Sequence, residues 1–148
     1  MIKDVIIRHP KEKKSKCSLE PLRDRADLCF HLASPGFSFD ATGYLLLSID
    51  APEISAADSG HPLLLLDSTW RLLPRLEEKV SGTPLRRSLP HTVRTAYPRV
   101  SKTHPDPSAG LASVEALYTA RLLLGRPLKG LLDHYYWKDD FLQQFPLL

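Results

Sequence analysis

The sequence predicts a single small α/β domain. Its 148 residues are enough for one compact unit with a real core and too few for two comfortable ones. Short apolar runs near residues 5, 45, 64 and 87 read as strands, and they alternate with stretches whose apolar residues fall at helical spacing. No internal repeat or low-complexity segment interrupts this alternation.

Taken in order, Val5-Ile6-Ile7 is a β-branched run and a first strand. A charged loop follows, where Pro10 disfavours helix at His9. Leu19 to Leu32 places Leu22, Ala26, Cys29 and Phe30 on one helical face, so a short amphipathic helix is expected there, with Pro21 tolerated in its first turn. Tyr44 to Ile49 reads as a second buried strand, and Ala51 to Gly60 as a loop. Ser81-Gly82-Thr83-Pro84 is a turn, and Leu85 to Leu89 a further strand. Arg94 to Gly110 is a long aperiodic loop of the kind that usually carries function. Ser113 to Leu124 is the clearest helix. Ser113 is placed to cap it, Glu115 to complement its dipole and Gly125 to stop it. Leu128 to Phe145 suggests one or two more helices, with Tyr135, Tyr136, Trp137, Phe141 and Phe145 in the core.

The centre of the chain is Leu63-Leu64-Leu65-Leu66, a fully buried strand, followed at once by Asp67-Ser68-Thr69-Trp70. In open α/β sheets ligands bind outside the carboxyl ends of strands, which places Asp67 to Trp70 where chemistry is usually found. An Asp or Ser helix cap with Trp70 in the core explains the same residues. Arg71 to Val80 has helical spacing, but Pro74 cannot sit inside a regular helix. Either the helix kinks, or Asp67 to Leu73 is an irregular turn and Pro74 is the first helical residue. The second arrangement holds the Asp67–Trp70 backbone open to a ligand.

Composition narrows the function. No apolar run is long enough to span a membrane and the start is charged, so a soluble, cytoplasmic protein without membrane partners is expected. Cys17 and Cys29 lie twelve apart with no histidine at finger spacing, which argues against a zinc site and a disulfide scaffold. There is no glycine-rich phosphate loop of the dinucleotide or P-loop kind. The net charge is only +3, yet Lys11, Lys13 and Lys14 crowd the start, and Arg86, Arg87, Arg94, Arg99 and Lys102 follow one another with no acid between. Two basic segments on a near-neutral body suggest a face for a polyanion.

At Asp67-Ser68-Thr69-Trp70 the chain resembles the DTW-domain tRNA-uridine aminocarboxypropyltransferases, which carry Asp-x-Thr-Trp after an apolar strand. It is similar also to the small-subunit rRNA aminocarboxypropyltransferases, which carry Asp-x-Ser-Trp there. Three further stretches match in order. His9-Pro10-Lys11-Glu12 with Lys16-Cys17-Ser18 resembles the N-terminal motifs of the two groups, and Arg87-Ser88-Leu89-Pro90 the Arg-x-Leu-Pro of the rRNA enzymes. Leu111-Ala112-Ser113-Val114-Glu115-Ala116 resembles Leu-Ser-Ser-Val-Glu-Ala, with Ala112 replacing the first serine. The resemblance implies a SPOUT-like α/β fold with a mostly parallel sheet and a C-terminal trefoil knot. It implies S-adenosylmethionine as cofactor, transfer of its 3-amino-3-carboxypropyl group to a uridine-type base in rRNA or tRNA, and action as a monomer.

Residue by residue, the resemblance makes Asp67 the catalytic carboxylate that takes a base proton or orients the base. Trp70 becomes the wall that turns the cofactor, and its indole can face the sulfonium. Ser18 would bind the cofactor's amino-acid end, and Leu66, Leu89, Leu111, Ser113 and Ala116 would line the adenosine pocket. The basic residues Lys11, Lys13, Lys14, Arg86, Arg87, Arg94, Arg99 and Lys102 would hold RNA phosphates. A SPOUT-class RNA methyltransferase would use the same cofactor, and a non-catalytic RNA- or ribosome-binding module could keep the same fold.

Overall fold

The structure, a computed structural model, describes residues 3–11, 18–68, 72–96 and 111–145. Its centre is a parallel sheet of five strands. They are β1 (Asp4–Arg8), β2 (Leu28–Leu32), β4 (Leu45–Leu47), β5 (Leu63–Asp67) and β7 (Leu85–Arg87), in the order β2-β1-β5-β4-β7. A second, two-stranded parallel sheet joins β3 (Phe39–Asp40) to β6 (Val80–Ser81). Three helices complete the set: α1 (Leu73–Glu77), α2 (Ser113–Leu124) and α3 (Lys138–Leu142).

Both faces of the large sheet are covered, which is why its two central strands are apolar throughout their interiors, with charged residues (Asp4, Arg8, Asp67) only at their ends. Alternate side chains point to opposite faces. Ile6, Leu45, Leu63 and Leu65 pack against Val114, Leu117, Ala120 and Leu124 of α2 and against Phe141 of α3. Val5, Ile7, Leu46 and Leu64 pack on the other side with Ala33, Ala41 and Leu76. The leucine run therefore divides its side chains between two cores.

The strands expected near residues 5, 45, 64 and 87 are present. The helix expected over Leu19–Leu32 is not. Glu20–Leu22 is a single 3-10 turn, and the chain then runs as β2 in register with β1. Ala26, counted on the apolar face of that helix, is exposed. Phe30 packs into the α2-side core and Cys29 into the opposite one, a period of two rather than 3.6. Backbone pairing with β1 outweighed a spacing that only resembled a helix.

The helix does not kink at Pro74: α1 begins at Leu73, one residue earlier than the second alternative has it, and Pro74 sits in its first turn where no amide is needed, while residues 69–71 of the expected turn lie outside the described residues. The helix is short, and Val80 belongs to β6. The next turn needs Gly82, which has φ 81°, and any side chain there would run into Asp40 and Thr42. Among the described residues beyond α2 only α3 is helical, and residues 129–134 and 136–137 are turns. Tyr136 is 86% exposed rather than in the core, because three successive aromatics in a turn cannot all face inward.

α2 runs antiparallel to the strands. Its last turn lies at their amino ends, where the fully buried Arg121 donates from Nε to Asp4 (2.8 Å) and from Nη1 to Asp27 (2.7 Å). Arg126 reaches the other oxygen of Asp4 at 2.6 Å, and that oxygen also accepts the Leu63 amide at 2.8 Å. The Asp27 carboxyl is held well below the usual carboxylate range, chiefly by the hydrogen bond from Arg25. Arg121 adds to this and burial opposes it. A carboxyl whose folded pKa is lowered stabilises the fold above its unfolded value of about 4, and the contribution is lost as pH falls toward the folded value. Urea midpoints should therefore drop between about pH 5 and about pH 2, and Asp27→Asn should flatten that drop while lowering the midpoint at neutral pH.

Candidate functional site

A cavity of about 370 Å³ opens at the carboxyl ends of β4, β5 and β7. The exit of β4 supplies Leu47 to Asp50, β5 supplies Leu65 and Leu66, and the exit of β7 supplies Ser88 to His91. Leu73 and Glu77 of α1 close one side, and Leu111 and Ala116 at the start of α2 another. The walls are mostly apolar and rich in leucine. The ionised residues of the lining are Asp50, Glu77 and Arg86. Arg86 is half-exposed and links α1 to β4. Its Nη1 donates to Ser48 Oγ at 3.2 Å and lies 3.5 Å from Glu77. Among the described residues no cluster of three or more His, Cys, Asp or Glu is arranged to hold a metal, and no helix is long and apolar enough to cross a membrane.

Beside the cavity, Asp67 ends β5 directly opposite Arg8, the last residue of β1. Both are buried, and Arg8 Nε donates to Asp67 Oδ2 at 3.3 Å. Arg8 also pairs with Glu20 at 2.6 Å, and its guanidinium lies 5.6 Å from the centre of the Phe30 ring. The other oxygen of Asp67 accepts a hydrogen bond from Ser113 Oγ at 2.7 Å. A buried carboxylate held between a guanidinium and a hydroxyl is a charge that this site has made safe to bury.

The start of α2 is capped from a distance. Its N-cap residue is Ala112, which has no side-chain acceptor. The Val114 amide instead donates to Ser18 Oγ at 3.0 Å, ninety-six residues away in sequence, and the Ala112 amide donates to Glu115 at 2.8 Å. Two amides that a helix leaves unpaired at this end are thereby satisfied.

The residues singled out in the sequence fall into three groups. Leu66, Leu89, Leu111 and Ala116 line the cavity together. Asp67, Ser113 and Ser18 are not among its lining residues; they form the polar frame around the helix start beside it. Trp70 lies outside the described residues, as do Lys13, Lys14, Arg99 and Lys102. Of the other basic residues, Lys11 and Arg94 are exposed, Arg86 lines the cavity, and Arg87 is tied to Asp58 at 3.2 Å. Sequence reasoning missed Arg8. The available signal was an arginine ending a β-branched run, the one position that pairing with β5 sets against Asp67.

No model of a known protein family and no curated protein matches the sequence. In three dimensions the chain is similar to the SAM-dependent rRNA:acp-transferase Tsr3 from Vulcanisaeta distributa. The TM-score is 0.69 at 22% identity, over 97% of this chain and 78% of that one. At this identity the likeness establishes the α/β fold with its parallel sheet.

Ser18→Ala removes the distant cap, so it should lower stability by about 1 kcal/mol, the usual cost of losing a cap, in urea titration. Hydrogen exchange should rise first at the Val114 amide.

Proposed function

We propose that this protein transfers the 3-amino-3-carboxypropyl group of S-adenosylmethionine to a uridine-type base in RNA, with rRNA favoured over tRNA. One observation carries the reading. Leu66, Leu89, Leu111 and Ala116 come from three motifs that are far apart in sequence and resemble those of aminocarboxypropyltransferases, and they meet on one cavity at the carboxyl ends of the strands. Likeness in fold to a SAM-dependent rRNA:acp-transferase supports it independently. We infer the finer architecture from the same resemblance: a SPOUT-like domain whose C-terminal part is knotted. In support, the exits of β4 and β7 and the start of α2 all border one cavity.

The residues present suit the cofactor. The volume is that of a small-molecule site, and its leucine-rich walls match an adenosine. Asp50 and Glu77 complement its cationic groups, and Arg86 its carboxylate. When bound, S-adenosylmethionine supplies an electrophilic carbon next to sulfonium and a good leaving group, methylthioadenosine. The chain's own residues then contribute mainly orientation, which can supply much of a rate enhancement. Leu66, Leu89, Leu111 and Ala116 grip the apolar part. Asp67, held by Arg8 on one oxygen and Ser113 on the other, keeps acceptor capacity to orient the base or take its proton. Its pairing keeps β1, β5 and α2 in the register that shapes the cavity. Lys11 and Arg94, exposed among the described residues, would meet RNA phosphates.

Carboxyl-labelled S-adenosylmethionine tests the reaction: label should enter RNA from cells lacking the gene. Entry of methyl label instead would make the protein a methyltransferase, and no calorimetric heat with S-adenosylmethionine would leave an RNA-binding module. Asp67→Asn should slow transfer about 100-fold, the scale of a misplaced reacting group. A variant with unchanged turnover would remove Asp67 from the mechanism.

A further inference from the structure

We infer that Glu115 is a positioning residue that latches one wall of the cavity to the start of α2, and so sets affinity for the cofactor. The inference rests on the proposed function for the identity of the ligand, though not for the latch itself.

Glu115 is fully buried. It stands in the first turn of α2, where the positive end of the helix favours a carboxylate. Among the described residues no cation pairs with it, yet four donors converge on it from three parts of the chain. Thr95 Oγ1 approaches one oxygen at 2.6 Å, together with the Ala112 amide at 2.8 Å. The Ala96 amide reaches the other at 2.8 Å, together with the Tyr135 hydroxyl at 3.0 Å. The two oxygens of a carboxylate accept about four hydrogen bonds, so these donors fill them. A helix start needs at most one of these bonds. The other three serve something else.

What they serve is the cavity. Ser88 to His91 line it, and after one turn the chain reaches Thr95 and Ala96. Leu111 and Ala116, on either side of Ala112 and Glu115, line it from α2. Glu115 therefore joins two walls through one carboxylate. A second clamp, Gln144, both donates to and accepts from the Arg94 backbone, at 2.7 and 2.8 Å, and closes the same segment from the turn after α3. The two clamps tie residues 94–96 to α2 and to Gln144; without the Glu115 carboxylate four donors lose this acceptor in a partly buried site, and the wall loosens.

Glu115→Gln keeps the volume and replaces one acceptor oxygen with a donor. In the ligand-free full-length protein, hydrogen exchange should rise at least about tenfold over residues 92–96 and at Ala112, with residues 117–124 unchanged. Calorimetry should show S-adenosylmethionine binding weakened by about tenfold or more, with its KM raised and kcat at saturation held. Thr95→Val and Tyr135→Phe, which each remove one donor and leave the carboxylate in place, should each weaken binding about two- to tenfold, the worth of one hydrogen bond. They carry the test if Glu115→Gln does not fold. Uniform loss of protection with unchanged cofactor affinity would make Glu115 a structural residue and overturn the inference, as would wild-type behaviour in all three variants. If the wild-type protein binds no S-adenosylmethionine, the proposed function fails, and the exchange data still decide the latch.

Discussion

The interaction on which the rest of this structure depends is the burial of Arg121 between Asp4 and Asp27. Charges out of water are tolerated only when paired and fully hydrogen-bonded, and removing one partner of such a set typically costs about 3–5 kcal/mol. Arg121 meets that condition through Asp4, the Asp27 carboxylate and the Asp27 carbonyl. Asp4 in turn holds Arg126 and the first amide of β5. One carboxylate at the start of β1 thus ties together two strands, the end of α2 and the segment beyond it.

α2 can be buried almost all round because its polar side chains are satisfied one by one. Thr119 donates back to the Glu115 carbonyl at 2.8 Å, Arg121 takes the network just described, and Glu115 takes four donors. The amino-terminal end of the helix is held by Ser18, Asp67 and Glu115, and the opposite end by Asp4 and Asp27. A helix pinned at both ends against a parallel sheet has little freedom to slide. Leu111 and Ala116 therefore keep a defined place on the cavity wall, and a rigid wall is what orientation-based chemistry requires.

Much of the fold was legible where one element buries its own pattern. The four-leucine run announced β5 because a strand covered on both faces needs apolar residues at every position, and Gly125 announced the end of α2 because its φ of 73° suits glycine. β2 was not legible, since an edge strand with one neighbour leaves only weak alternation and its spacing imitated a helix. In the site, the apolar cavity residues were found through motif resemblance. Ser18 and Ser113 were singled out for a ligand, whereas their visible partners are a helix amide and Asp67. Hydroxyls that cap a helix and hydroxyls that hold a ligand look the same in one dimension.

The sequence alone determined the α/β class, the four principal strands, the helix over Ser113–Leu124 and the place of Asp67 at a strand end. Each follows from local spacing, turn chemistry or a motif, and local forces are written in neighbouring residues. Only the tertiary structure decided that Arg8 faces Asp67, that Ser18 caps a helix ninety-six residues later, and that Glu115 gathers donors from Thr95, Ala96 and Tyr135. Those choices depend on strand register and on which side of the sheet a helix packs. Both are settled by burying both faces and pairing every charge at once, a condition that no single stretch of sequence contains.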